Sequence, residues 1–314
     1  MTFKVGVVGL GKIAKDQHLP VIDRHPEFEL VAVVSSRESH ATVPTFRTLT
    51  ELIASEPAID ALALCMPPRP RFDVAYRALE AGFHLLLERP PTSTVGELEA
   101  LVACAQANNR ALFVSWHSRY NAAVDAAKLM LANKSITRIE VLWKEDVHFW
   151  HPGQEWIWEP GGFGVFDPGI NALSLVSEIV PMPIVVTDAE LTFPANKHTP
   201  VSSSIRFALP GMRDAEITAE FDWLKVGEPI WDINVETSDG SSLRLADGGT
   251  KLVVDGEVLV TGSSAAEYIG MYDRFALLLG SGKSDVDLTP LRLVADCFTQ
   301  GRIVRGERLG RDVQ

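Results

Sequence analysis

The sequence predicts two domains: a doubly wound α/β domain with a parallel sheet over residues 1–120, and an α+β domain with a large, mostly antiparallel open sheet over residues 121–314. Three observations predict this. Up to about residue 120, nearly continuous apolar runs alternate with amphipathic stretches, the pattern of a sheet covered on both faces. A glycine turn joins the first strand to the first helix. Beyond 120 the chain passes into strand-like runs separated by hairpin-type turns.

In the first domain, "FKVGVVG" is a short β-branched strand, "KIAKDQHLPVIDRH" a helix and "FELVAVVSS" a second strand. "IDALALCMPP" is a strand ended by prolines, followed by the helical "FDVAYRALEAG", with Gly82 as its stop. The strand "FHLLLE", the helix "VGELEALVACAQANN" and the strand "RALFVSW" complete it. The second domain opens with the helix "AAVDAAKLMLAN" and the strand "ITRIEVLWKED". The runs "VTDAELTFP", "SSIRFALP", "AEITAEFDWL", "IWDINVETSDG", "SLRLADGG" and "TKLVVDGEVLV" then follow as strands. Two helical runs, Ala265 to Leu279 and Pro290 to Phe298, close the chain.

Composition narrows the function. A hydrophobic content of 46% with 22% charged residues is that of a folded globular protein with sizeable cores. A formal charge of −12 argues against nucleic acid or an anionic membrane surface as the main partner. No run approaches a membrane span, and Lys4 and Gly6 interrupt the N-terminal apolar segment before it reads as a signal peptide. Cys65, Cys104 and Cys297 are odd in number and lack CxxC spacing, so reduced thiols in a cytoplasmic protein are expected.

"VGVVGLGKIA" sets Gly9, Gly11 and Ala14 in a GxGxxA pattern between a strand and a helix, the context of a dinucleotide-binding Rossmann domain. Gly9 permits the turn, Gly11 lets a pyrophosphate approach the backbone, and Lys12 and Ile13 begin the helix whose N-terminal amides face the phosphates. At the end of the second strand an NAD enzyme usually carries an acidic residue for the ribose hydroxyl. Here Ser35, Ser36 and Arg37 stand there, with Glu38 only afterwards, so NADP is expected and NAD is the alternative. Cys65, Pro67 and Pro68 leave the sheet where the nicotinamide side of such a site lies, and Glu88 and Arg89 leave the strand "FHLLLE".

A second concentration of polar and aromatic residues occupies 143–171, "WKEDVHFWHPGQEWIWEPGGFGVFDPGIN". Aromatic faces such as those of Trp150 and Trp156 suit sugar C–H groups, and carboxylates and imidazoles such as Glu145 and His151 suit hydroxyls, as in a small-molecule pocket. Each tryptophan taken singly reads more readily as a core or interface residue. Asp167 precedes Pro168, which predicts Asp167 as a helix N-cap. Asn171 follows on the same face. The pair reads either as a cap with a surface amide or as a base with an orienting amide. Glu145, His148 and His151 lie three apart, but the segment does not read as a helix that would gather them, and no metal is expected.

The ordered motifs "GLGKIA", "CMPP", "ERPP", "SWHS", "WKEDV" and "WHPGQEWIWEPGGFGVFDPGIN" resemble the Gfo/Idh/MocA oxidoreductase family along nearly the whole chain. Within it they are most similar to the bacterial branch of aldose 1-dehydrogenases acting on D-galactose and L-arabinose. The resemblance implies NAD(P)-dependent oxidation of an aldopyranose at C1 to the lactone. It implies catalytic roles for the residues at 89, 167 and 171, with Asn171 where the family usually has histidine. His117, Glu145 and His151 then match sugar-hydroxyl contacts. A homodimer is the expected assembly, since an open sheet leaves a face another subunit would cover.

Arg89 departs from the pattern, because the family's Glu-Lys-Pro motif carries lysine there. A guanidinium with a pKa above about 12 is a poor proton carrier but a good electrostatic clamp. Three readings follow: an active dehydrogenase with Asp167 as the base directly or Glu145 through a water, a dinucleotide- and sugar-binding relative with little or no turnover, or an oxidoreductase of related fold acting on another polyol or carbonyl compound.

Overall fold

The computed structural model describes residues 2–55, 58–263 and 265–310. The chain divides into two compact units, Met1–His117 with Tyr268–Leu288, and Ser118–Glu267 with Thr289–Gln314.

Among the described residues the first unit holds a six-stranded sheet. Its strands are β1 (Phe3–Val8), β2 (Phe28–Val34), β3 (Thr45–Phe46), β4 (Ala61–Leu64), β5 (His84–Glu88) and β6 (Leu112–Ser115), in the order β3-β2-β1-β4-β5-β6. Every pairing is parallel, so this is the doubly wound sheet expected from the alternating sequence. β4 and β6 are buried along their whole length, which explains their unbroken apolar runs. The helix Pro68–Glu80 begins on Pro68, and Gly82 at φ 92° ends it. Thr94 and Glu97 form a reciprocal capping box at the start of Val95–Ala107.

One segment differs from the reading in chain order. Tyr268–Leu288, placed there with the C-terminal domain, belongs to the first unit. Its helix Ala265–Ser281 brings Tyr272 edge-on to Phe28 at 5.2 Å between ring centroids and stacks Phe275 on Phe28 and on Phe113, each at 5.9 Å. Asp285 then exchanges main-chain bonds with the β6 edge, donating to Leu112 at 2.9 Å and accepting from Val114 at 3.1 Å. Helical periodicity marks the apolar face of such a segment but not the sheet that buries it.

The second unit contains a nine-stranded sheet among the described residues. The strands are β7 (Ile136–Lys144), β8 (Val185–Pro194), β9 (Ser202–Leu209), β10 (Met212–Asp222), β11 (Ile230–Thr237), β12 (Ser242–Ala246), β13 (Lys251–Val254), β14 (Glu257–Thr261) and β15 (Arg302–Gly306). The order is β14-β13-β12-β11-β7-β10-β9-β8-β15, antiparallel except for the β7/β10 and β8/β15 pairs. β15 follows the helix Thr289–Gln300, so the two expected helical runs do not close the described chain. "TKLVVDGEVLV" is two strands, with Asp255 and Gly256 at positive φ in the turn.

The helix Phe166–Ile179 is buried for most of its length, and Phe166 meets Phe221 of β10 edge-on at 5.9 Å. Gly169 makes this approach possible, since a Cβ there would lie 2.6 Å from the Phe221 ring. No helix among the described residues is long and apolar enough to cross a membrane.

Candidate functional site

In the first unit, β1 leads into the glycine turn. Gly9 has φ 96°, and a Cβ on it would come within 2.8 Å of the Met66 amide nitrogen, so the turn requires glycine. At Gly11 the same construction meets nothing within 4 Å, leaving the backbone open to an approaching pyrophosphate. Lys12 is exposed and pairs with Asp16, and Ile13 is half-buried. The helical segment that follows contains a π turn, Ala14–His18, a feature that re-aims side chains within a helix.

Past β2, the Ser35 hydroxyl accepts from the amides of Arg37 (3.4 Å) and Glu38 (3.2 Å), folding the loop on itself. The Ser36 carbonyl accepts from Arg47, and Glu38 is ion-paired with Lys15. Ser36 and Arg37 are exposed. The one carboxylate of this loop therefore has a cation beside it, while Ser36 and Arg37 face solvent. The donor set and the open glycine turn fit a dinucleotide.

Cys65 and Pro67 follow β4, and Pro68 opens the next helix. Glu88 and Arg89 sit at the end of β5, and the Arg89–Pro90 peptide is cis. The Glu88 carboxylate points inward. It accepts from the Tyr268 hydroxyl at 2.9 Å and from the Arg89 amide at 2.9 Å, and pairs with His18 Nε2 at 3.0 Å. His18 Nδ1 lies 2.8 Å from the Tyr272 hydroxyl. Arg89 Nε donates to His117 Nε2 at 3.4 Å, and the His117 ring stacks on Tyr268 at 4.9 Å.

Burial alone would lower the His18 pKa, but the negative ends of Cys65, Tyr272 and Glu88 outweigh it and hold it well above the ordinary 6.5. Burial would raise Glu88, but the bond and charge of His18, with His117 and Arg89, hold it well below 4.5. Burial pushes the Tyr272 phenol up to about 12. A histidine raised on folding contributes stability that is complete below its unfolded pKa and is lost as the pH rises through its folded one; Glu88, depressed, contributes above 4.5 and loses it only at strongly acid pH. The melting temperature should therefore exceed that of His18→Gln by more at about pH 6 than at about pH 9. Equal differences at both would mean that His18 is neutral in the fold.

In the second unit, β7 ends at Lys144 and delivers Glu145, which is buried. Its Oε1 accepts from the Trp223 indole at 3.1 Å and its Oε2 from the Trp231 indole at 2.8 Å. His151 Nε2 lies 3.8 Å from Glu145 Oε1 and 3.8 Å from Asp167 Oδ2, so one imidazole stands between two carboxylates. The His151 ring lies against Trp223 at 5.1 Å, and Trp223 against Trp158 at 5.2 Å. Trp231 is stacked on Trp143 and flanked by Trp150, itself 37% exposed. Trp156 is half-buried and donates to Gln154 at 3.2 Å.

Asp167 and Asn171 share the helix Phe166–Ile179 and are both buried. Asp167 is not the N-cap that its place before Pro168 predicts. The helix starts two residues earlier, its cap position is Val165, and the Asp167 amide donates to the Gly164 carbonyl at 2.8 Å. The aspartate thus lies in the first helical turn. Asn171 is no surface amide: it is 8% exposed, and its Oδ1 has no hydrogen-bond partner in the fold. A buried acceptor left open here is what a ligand hydroxyl would satisfy.

Val147–Trp150 forms one helical turn capped by the Asp146 carboxylate, contrary to the reading of that stretch as non-helical. The turn leaves His148 exposed while His151 faces Glu145, so the spacing of three does not gather the three residues. The structure adds residues that the sequence did not single out: His18, Arg71, Tyr268 and Tyr272 in the first unit, and Trp223 and Trp231 in the second. The tyrosines lie four apart on one helix, a local signal that was available.

Comparison with known proteins agrees with the fold. The model of the oxidoreductase family with an NAD-binding Rossmann fold, GFO_IDH_MocA, matches residues 3–116. Galactose 1-dehydrogenase of Pseudomonas fluorescens is 42% identical over 304 residues, 97% of each chain. The crystal structure of a D-galactose-1-dehydrogenase from Rhizobium etli matches with a TM-score of 0.92 at 45% identity, covering 98% of each chain. A 3-ketoreductase from Actinomadura kijaniata, solved with NADP and TDP-benzene, shares the fold with a TM-score of 0.83 at 18% identity, over 98% of this chain and 100% of its own.

Proposed function

From membership of the Gfo/Idh/MocA oxidoreductase family, to which this chain belongs, we propose an aldose 1-dehydrogenase that oxidises a galactose-type pyranose at C1 to the lactone. A bound nicotinamide dinucleotide supplies the hydride acceptor. The C1 hydrogen departs with its electron pair, the C1 hydroxyl loses its proton, and the C=O bond of the lactone forms. Asp167 takes that proton, Asn171 accepts at its open Oδ1 from a neighbouring sugar hydroxyl and so orients the ring, and Arg89 stabilises the negative charge that develops on the C1 oxygen. Glu145, with His151 and His117, bonds the remaining hydroxyls, and Trp150 and Trp156 supply aromatic contacts.

The observation that carries this reading is His151 standing 3.8 Å from both the Glu145 and the Asp167 carboxylates. Both Glu145 oxygens already accept indole bonds, which fixes that carboxylate for recognition and leaves proton transfer to Asp167. A panel of aldoses assayed with NADP⁺ and NAD⁺ tests the proposal, and turnover of D-galactose, D-fucose or L-arabinose is expected. Binding of these sugars without turnover would favour the second reading, a dinucleotide- and sugar-binding relative, for which the arginine at 89 is the specific argument.

NADP is the proposed cofactor, with Gly9, Gly11, Lys12 and Ile13 at the pyrophosphate and Ser36 and Arg37 at the 2′-phosphate. Cys65, Pro67 and Pro68, with Glu88 and Arg89, would hold the nicotinamide side. Arg37→Ala should weaken NADPH binding by about tenfold or more, the range of one charge-assisted contact, and NADH binding by less than about twofold. Equal losses in a fluorescence titration would remove Arg37 from 2′-phosphate recognition. A cytoplasmic homodimer with its three cysteines free and buried completes the proposal.

A further inference from the structure

The most heavily committed side chain in the first unit is one that neither the motif nor the mechanism accounts for. Arg71 is 2% exposed, in the first turn of the helix Pro68–Glu80. Its Nη1 donates to the carbonyls of Glu88 and Pro90 and, at 3.2 Å, to that of Pro91. Its Nη2 donates to the carbonyl of Met66. One guanidinium therefore joins the turn that leaves β4 to the turn that leaves β5.

This placement runs against two general costs. A cation in the first turn of a helix meets the positive end of the helix dipole. A buried charge must also be compensated bond by bond. Convergent main-chain carbonyls provide that compensation, and the planar fork of arginine spans both turns where a lysine ammonium, a single point, would reach one.

We infer that Arg71 is a positioning residue for the reaction: it holds the turn 88–91, and through it Arg89, in register with the Cys65–Pro68 turn. The kinetic part of this inference rests on the dehydrogenase reading above; the structural part does not. Arg89 is itself half-buried and anchored by its amide to Glu88, so its guanidinium can be no better placed than the turn that carries it. A displacement of about 1 Å at a reacting centre can cost about a hundredfold in rate.

The test uses the whole protein with Arg71→Lys and Arg71→Ala. For Arg71→Lys we expect kcat to fall by about ten- to a hundredfold with KM for the sugar changed less than about threefold. Amide exchange in the peptide covering 88–92 should rise while the rest of the parallel sheet keeps its protection. Ethylguanidinium should restore part of the turnover of Arg71→Ala, and ethylammonium at the same concentration should not. Native kcat and native exchange in Arg71→Lys would overturn the inference. So would exchange that rises throughout the sheet with a lowered melting temperature, which marks Arg71 as a general structural residue. If the unmodified protein turns over no aldose, the dehydrogenase reading fails, and the exchange measurement still decides whether Arg71 holds the turn.

Discussion

Asp167→Asn is expected to lower kcat by about 10² to 10⁴, the range of a lost general base, while leaving NADPH affinity within about twofold of the native value. The substitution is nearly isosteric. The side chain does not cap the helix, and the main-chain bond from residue 167 to Gly164 is unaffected by it. What changes is one atom's capacity to take a proton. Asparagine also removes a negative charge 3.8 Å from His151. Stopped-flow reduction of NADP⁺ with a saturating aldose, together with a binding titration, separates the two effects. A kcat within threefold of native would remove Asp167 as the base. Asn171→Ala should cost less than Asp167→Asn, because an orienting contact contributes to placement and not to proton transfer.

The contrast between Asp167 and Glu145 shows how far residue order alone carries. The motif brought both carboxylates and His151 into one stretch, and the fold does gather them. The division of labour proposed for them was not legible there, because it rests on Trp223 and Trp231, which lie 78 and 86 residues beyond Glu145. Those tryptophans come from or just after β10 and from β11, the strands that flank β7. Nothing local to either tryptophan announces that its indole faces a carboxylate; only the strand order does. The same holds for Arg71, which in "PPRPRF" reads as a soluble, proline-flanked cation and is in fact buried.

The parallel sheet and the glycine turn were legible for the opposite reason. A strand buried on both faces must be apolar throughout, and a left-handed turn against a neighbouring backbone admits only glycine, so each constraint leaves its mark on adjacent residues. The helix start at Phe166 was misjudged because Asp before Pro is a strong local cap signal. Here Gly164, at φ 54°, lets the chain turn earlier: a Cβ there would lie 2.3 Å from the Pro200 carbonyl. The tertiary contact outweighed the local preference.

Arg89→Ala is expected to lower kcat by about 10² to 10³, the cost of removing one preorganised electrostatic group from a developing oxyanion. Arg89→Lys should recover most of that loss but change the pH dependence. With arginine, no ionisation from residue 89 should appear in the kcat profile below about pH 11, since the guanidinium pKa lies above about 12. With lysine, an ordinary pKa near 10.4, lowered further by partial burial, should bring a new ionisation into the measurable range. The His117 contact sharpens this prediction. Arg89 Nε donates to His117 Nε2 at 3.4 Å, so one arm of the fork is committed to that ring. Lysine lacks the second arm of the fork and cannot address His117 and a sugar oxygen from fixed directions, so the variant should bind sugar more weakly even where its turnover is preserved. Identical pH profiles for the two proteins would show that residue 89 acts only through charge. A large gain in kcat for Arg89→Lys would show instead that the native protein lacks an efficient proton path, as a chain kept mainly for binding would.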